Sequence, residues 1–297
     1  MIAPASRLAP VWTWLSVSAG VLAFTGSVLS LLKPSAVYGR ETDELINAAI
    51  AQDAVNAFLV SPLLVILAVL ARRGSVISWL TLTGFLGFTV YNYSIYAFSI
   101  QFGPLFLVWV AVLGLSVFAL AGALATVVPE VAHTAGATGR LTGWVLIATS
   151  VFFTLLWLRE IIPDLLAGSP STSASLWNVP TNPVHVLDLA LFLPGVLISG
   201  ALLLRGRAWG WATAAGSLAF LGLTALPILV TPVVSLLRGN PPGWPVVLPM
   251  GVTQPHPLGG VLSAAQANAP NPAQRLTGRR TRDYRPALGP RPDGAAP

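Results

Sequence analysis

The stretch TNPVHVLDLALFLPGVLISGALLL, Thr181–Leu204, decides how the chain is read. It is apolar over a length that crosses a hydrocarbon core, which takes about 20 residues as a helix, yet it carries His185 and Asp188 near its head. Asn182 followed by Pro183 has the pattern of an N-cap with proline in the first helical position, where the missing N–H costs nothing. Residues at i and i+3 share a helix face, so His185 and Asp188 are expected to project together just inside one boundary of the bilayer. Ionisable groups are costly at that depth and mark functional sites by default. The competing structural reading has Asp188 offset the positive helix N-terminus while His185 bonds in the headgroup region.

The rest of the chain agrees with a membrane setting. Of 297 residues, 55% are hydrophobic and 9% charged, whereas about a quarter of positions are charged in soluble domains. The formal charge of +6 does not mark a nucleic-acid surface: residues 1–238 hold ten Lys/Arg against eight Asp/Glu, and 239–297 hold six against two. Most of the excess therefore sits in the tail. The absence of cysteine excludes disulfides, iron–sulfur ligation and thiol redox relays.

Working outward, seven stretches reach membrane-spanning length, near 10–32, 54–71, 76–99, 104–128, 141–162, 184–204 and 208–237. The expectation is an all-α polytopic bundle of seven spans over residues 1–238, followed by a tail, 239–297, rich in Pro, Gly, Ala and Arg and too poor in patterned apolar surface to fold. The first stretch exceeds the ~7–15 residues of a signal-peptide core, so it is read as an uncleaved span, with cleavage near Ser35–Ala36 as the alternative. Pro241–Leu262 is apolar but holds six prolines, so it qualifies only as a broken or re-entrant segment. No internal repeat is evident residue by residue, although repeats of fold outlive repeats of sequence.

Short loops set the orientation. With the N-terminus in the cytoplasm, inner segments hold Arg7, Arg72, Arg73, Arg140, Arg205 and Arg207 against Glu130 alone, and the outer loops are mixed in sign. Trp12, Trp14, Trp79, Trp144, Trp209 and Trp211 then fall at the inner interface, Trp157 and Trp177 at the outer, as an aromatic belt requires. Seven spans put the Arg-bearing tail outside, where long segments obey the charge rule weakly.

On this topology the unusual polar residues collect in the outer third. Gln52, Asp53 and Asn56 open span two, where Asp53 lies three and Gln52 four residues before Asn56, so one face is polar; a helix merely starting at its polar end is the plain alternative. Asn92, Tyr96 and Ser99 run as a stripe along the end of span three, facing other helices or a cavity rather than lipid. Arg159 and Glu160 close span five; pointing about 100° apart, they reach for different partners, Glu160 toward His185 and Arg159 toward Asp188 or Asp53. A structural clamp of salt bridges accounts for the same residues.

Other signatures fail. Glu130 and His133 have the Glu-x-x-His spacing of di-metal bundles but lack a second copy, and His256 has no carboxylate near it. There is no His-x-x-x-His pair, Gly-rich phosphate loop or Gly-x-Ser-x-Gly elbow, and no lysine within a span to carry a retinal Schiff base.

Two pairs of segments, YNYSIY (Tyr91–Tyr96) with QFGPLF (Gln101–Phe106), and LREIIP (Leu158–Pro163) with PTNPVHVLDL (Pro180–Leu189), resemble segments of uncharacterised multi-span bacterial membrane proteins. The resemblance covers residues 50–235 and implies a bacterial integral membrane protein, in the cell membrane, with no activity attached.

The expected function is binding or translocation of a small polar molecule, proton or ion in an outward-facing pocket made by Asp53, Asn56, Asn92, Tyr96, Arg159, Glu160, His185 and Asp188. Carboxylates and imidazole would titrate, Arg159 would be counter-ion, and Asn92 and Tyr96 would supply neutral hydrogen bonds. The alternatives are a metal-dependent membrane enzyme using His185 with nearby carboxylates, and an assembly partner whose polar residues only hold helices together. The lipid bilayer is the one expected partner besides such a ligand, with no nucleic acid; no cofactor or metal is specified.

Overall fold

The structure, a computed structural model, describes residues 10–126 and 137–241. Glu130, His133, His256, the segment from 242 onward and the expectations attached to them lie outside the described residues. Those described form nine helices in the order α1 (Pro10–Leu32), α2 (Pro34–Tyr38), α3 (Asp43–Arg72), α4 (Val76–Ser99), α5 (Phe106–Ala125), α6 (Ala137–Ala167), α7 (Thr172–Trp177), α8 (Pro183–Leu204) and α9 (Ala208–Leu237), with no strand among them. Six of these, α1, α3, α5, α6, α8 and α9, are long and apolar enough to cross a membrane. The chain is a multi-pass membrane protein.

The remaining long helix, α4, is the exception in composition and the centre in space. It carries three threonines, three tyrosines and Asn92, and 14 of its 24 residues are buried, against 4 of 31 in the apolar α6. A helix shielded by other helices need not be apolar, whereas one that meets lipid must be. Exposed Trp144, Phe152 and Leu155 mark α6 as lipid-facing.

Helix α3 starts eleven residues before the expected span. The acidic run at Glu41–Glu44 reads as a loop, but Thr42 is an N-cap, its Oγ1 accepting from Leu45 N–H at 3.3 Å, and Asp43 and Glu44 sit in the first turn, where the helix dipole favours them. Asp53 is consequently inside a helix, not at its head.

Both α3 and α8 are broken by a π turn, Asn56–Val60 and Asp188–Phe192. The cause is the proline six residues after each turn begins, Pro62 and Pro194. A proline lacks an N–H and clashes with the carbonyl four residues back, and one extra residue in the preceding turn relieves the clash. In each, the residue before the proline donates five residues back, Ser61 N–H to Asn56 O and Leu193 N–H to Asp188 O.

This match extends into a repeat. Asn56 and Asp188, Pro62 and Pro194, Arg73 and Arg205, Gly74 and Gly206, Trp79 and Trp211, Gly84 and Gly216, and Phe88 and Phe220 each lie 132 residues apart. The turns that follow α3 and α8 share one construction: Gly74 (φ 93°) and Gly206 (φ 64°) are left-handed, Gly74 N–H bonds Ala71 O and Gly206 N–H bonds Leu203 O at 3.0 Å, and Ser75 and Arg207 N–H reach Leu70 and Leu202 O. This double-bonded helix end demands glycine at the left-handed position. Helix order repeats as well, α1–α2–α3–α4 and α6–α7–α8–α9, with α5 joining the halves.

Packing follows the same pseudo-symmetry. Helix α1 lies on α3 as α6 lies on α8; α3 packs against α4 as α8 packs against α9; and α3 touches α9 as α8 touches α4. On the axis, α4 and α9 cross at their equivalent glycines: a Cβ on Gly84 would strike the Gly216 carbonyl, and one on Gly216 would lie 3.1 Å from the Gly84 nitrogen. Helix α5 breaks the symmetry by packing along α1 and α4.

Candidate functional site

The expected polar residues do not converge on one pocket. They form two clusters with α4 between them, because Tyr91 and Tyr96, five residues apart on that helix, point in widely different directions.

The first cluster surrounds Asp53, which is 1% exposed. Tyr38, on the short α2 helix, donates to Asp53 Oδ2 at 2.5 Å. Tyr96 Oη lies 3.2 Å from both Asp53 Oδ1 and the Ala49 carbonyl. Ser27 and Ser30, one turn apart on α1, turn their hydroxyls to the same carboxylate, and Tyr93 Oη donates to Ala23 O at 3.4 Å. Burial, and after it the charge of Asp53, holds the Tyr38 hydroxyl well above its ordinary value, so Tyr38 keeps its proton and acts as the donor. Gln52 Nε2 donates to Asn56 Oδ1 at 3.1 Å, while Asn56 Nδ2 is buried without a partner among the described residues.

The second cluster gathers Asp188, His185 and Glu160 around an indole. Trp157 Nε1 donates to Asp188 Oδ2 at 2.8 Å, and the Tyr91 hydroxyl bonds the same carboxylate from α4. The Trp157 ring stands over His185, centroids 4.7 Å apart. His185 Nε2 lies 3.7 Å from Glu160 Oε2, too long for a hydrogen bond but close enough for an ion pair when the imidazole is protonated. The head of α8 is built as its sequence indicates, with Asn182 Oδ1 accepting from Val184 N–H at 2.9 Å. Behind the cluster, Tyr91, Phe192 and Phe220 join α4, α8 and α9 through edge-to-face and stacked rings.

Of the expected pairings, Glu160 with His185 forms and Arg159 with either aspartate does not. Arg159 is exposed, and the aspartates take phenol and indole donors instead. Asn92 is buried with an unpartnered Nδ2 and joins neither cluster through a hydrogen bond among the described residues. Sequence reading missed Tyr38, Tyr91 and Trp157. The two latter residues have the composition and position of an interfacial aromatic belt, and only their directions single them out; Tyr38 lies in what reads as a loop.

The two clusters lie at one end of the bundle, tied by its connecting segments. Arg40 donates to the Phe102 carbonyl, Gln101 N–H donates to Glu41 Oε1 at 2.8 Å, and Arg238 bonds Asn47 and pairs with Asp43. Among the described residues, no three His, Cys, Asp or Glu side chains gather in a group that could hold a metal. No family model, curated protein or solved structure matches the chain.

Proposed function

We propose that this chain is a membrane transport protein with seven spans, α4 being the seventh, built as two parallel three-span repeats joined by α5. Three spans and a single connecting span bring the second repeat into the membrane in the direction of the first. The charge bias of the loops then puts the N-terminus in the cytoplasm and both clusters on the outer side of a bacterial cell membrane. Its cargo is a small polar molecule, proton or ion.

The observation that carries this reading is the duplicated broken helix. Parallel repeats with discontinuous helices are a recurring design of transporters, which place their sites at the breaks, and π turns concentrate at functional positions. Here each break has an intramembrane acid, Asp53 one turn before the first and Asp188 opening the second. Each acid is held by neutral donors rather than by a fixed cation, which leaves its charge free to respond to a ligand.

The test is solid-supported-membrane electrophysiology on proteoliposomes challenged with pH steps, salts and a panel of small polar solutes. Wild type is expected to give transient currents for one of these, and Asp188→Asn to abolish them while the protein keeps its elution profile and helical content. Currents unchanged in Asp188→Asn would sink the proposed role of that acid. An absence of current with any challenge, together with acid substitutions that only lower stability, would favour the assembly role.

A further inference from the structure

The two repeats differ in how they are covered. In the first, α5 packs along both α1 and α4, so closely that a Cβ on Gly122 of α5 would strike the Trp12 ring. The equivalent helices of the second, α6 and α9, share only α8, the counterpart of α3, and nothing among the described residues stands in the place of α5. The face of α9 shows the consequence. Trp211 and Leu218 are 38% and 41% exposed, whereas Trp79 and Leu86, at the same places 132 residues earlier, are 3% and 0% exposed.

What is left is a cleft of about 450 Å³ between α6, α8, α9 and the start of α4. Trp211, Ala215 and Leu218 give it an apolar floor, and Thr138 and Thr142 stand on its α6 side. It lies at the end of the bundle opposite the two clusters, where the described residues hold five arginines and no acid. Arg72 is taken up by Trp14, its guanidinium 4.6 Å from the ring centroid. Arg140, Arg205 and Arg207 are exposed, and their side chains make no ion pair or hydrogen bond among the described residues. Arg207 is the N-cap of α9, one turn before Trp211 on the face that continues through Ala215 and Leu218. Its charge therefore stands at the mouth of the cleft, with Arg205 in the same turn. The charge bias of membrane loops accounts for the sign of these residues, but not for an open apolar cleft beside them.

We propose that this cleft seats an anionic phospholipid, its acyl chains against Trp211, Ala215 and Leu218 and its phosphate on Arg205 and Arg207. Charge decides the occupant. A helix from a second copy or from another protein would have to lie beside guanidinium groups that nothing neutralises, whereas basic pockets between membrane spans take anionic headgroups. The planar guanidinium matches phosphate oxygens two at a time, and a tryptophan at the edge of the cleft suits the headgroup level. Lipid thus takes in the second repeat the place that α5 takes in the first. On the orientation proposed above the lipid belongs to the cytoplasmic leaflet; the site itself does not depend on transport.

The experiment is native mass spectrometry of the purified full-length protein, titrated with phosphatidylglycerol or with phosphatidylcholine of the same acyl chains. Wild type is expected to retain one phosphatidylglycerol severalfold more tightly than phosphatidylcholine. The double variant Arg205→Gln, Arg207→Gln should erase that preference, and Ala215→Phe, which fills the cleft and leaves every charge in place, should weaken retention severalfold. Equal retention of the two lipids by wild type overturns the proposal. Retention unchanged in the arginine variant does the same, as does retention unchanged in Ala215→Phe, which would put the lipid on the basic surface alone. A second copy or another polypeptide held by wild type in place of lipid, and lost in Ala215→Phe, would make the cleft a protein interface and also overturns it. If Ala215→Phe does not fold, Leu218→Trp, at a more exposed place on the same face, is read in its stead; if the arginine variant does not, wild type and the cleft variant decide by the same criteria. None of these outcomes touches Asp188 or the transport currents, so the lipid site and the transport reading stand or fall separately.

Discussion

Two places related by the internal repeat, around Asp53 and around His185, solve one electrostatic problem in opposite ways. The first buries a carboxylate under tyrosines and serines; the second sets an imidazole against Glu160, whose side chain is 37% exposed. The backbone is the same in kind, a helix interrupted by a π turn ahead of a proline. The difference teaches that the two halves share the device that bends the helix and differ in the charge beside it.

The strongest way to break the comparison is at the axis on which the halves meet. Gly84→Leu forces a side chain into the Gly216 carbonyl, and overpacking of this kind costs about 3 kcal/mol; little folded protein is expected on size exclusion. Gly87→Ala, whose new methyl would meet nothing nearer than Phe220 Cδ2 at 3.9 Å, should melt with wild type. A normal melting curve for Gly84→Leu would show that the crossing is looser than described.

Next come the donors that hold the acids. Trp157→Phe removes the indole N–H from Asp188, leaving Tyr91, and a hydrogen bond to a charged group is worth about 2 kcal/mol; a matching fall in unfolding free energy is expected. Tyr38→Phe should cost about as much for Asp53. Tyr38 also gives a pH signature. A group whose folded pKa is raised above its unfolded value contributes stability below the unfolded value, about 10 for tyrosine, and loses it as pH rises beyond. Thermal stability should therefore decline above that pH more steeply in wild type than in Tyr38→Phe, and parallel curves would count against the buried phenol.

The smallest effect belongs to an exposed pair. Arg238→Ala gives up a pair with Asp43, whose side chain is 66% exposed; exposed ion pairs contribute between zero and about 1 kcal/mol. Chemical unfolding that moved more than this for Arg238→Ala would mean that the tie to Asn47 holds α9 against α3 more firmly than its exposure indicates.

Much of the architecture is legible in the sequence because membrane-length hydropathy is a physical requirement. Every expected span in 10–237 has its helix, and the cap at Asn182 and Pro183 stands where its chemistry puts it. Helix starts were harder to read: Glu41–Glu44 is acidic enough for a loop and also ideal for a first helical turn, and only the Thr42 cap decides between them. The repeat is hidden because the shared residues are a few prolines, glycines and aromatics set in interchangeable aliphatic filler. Spacing told that Arg159 and Glu160 diverge, but not which one finds the cluster, since that depends on how α6 rotates against α8. The choice of phenol and indole over guanidinium as partners for the acids is equally invisible along the chain, where Trp157 and Arg159 stand two residues apart.

The crossing of Gly84 with Gly216 also bears on the symmetry of the chain. In a symmetric dimer, a residue on the two-fold axis touches its own copy, and such a contact is isologous by necessity. Two equivalent glycines that meet across a pseudo-axis within one chain preserve that geometry. Gly84 and Gly216 therefore face each other as one residue faces its own copy on the two-fold axis of a dimer.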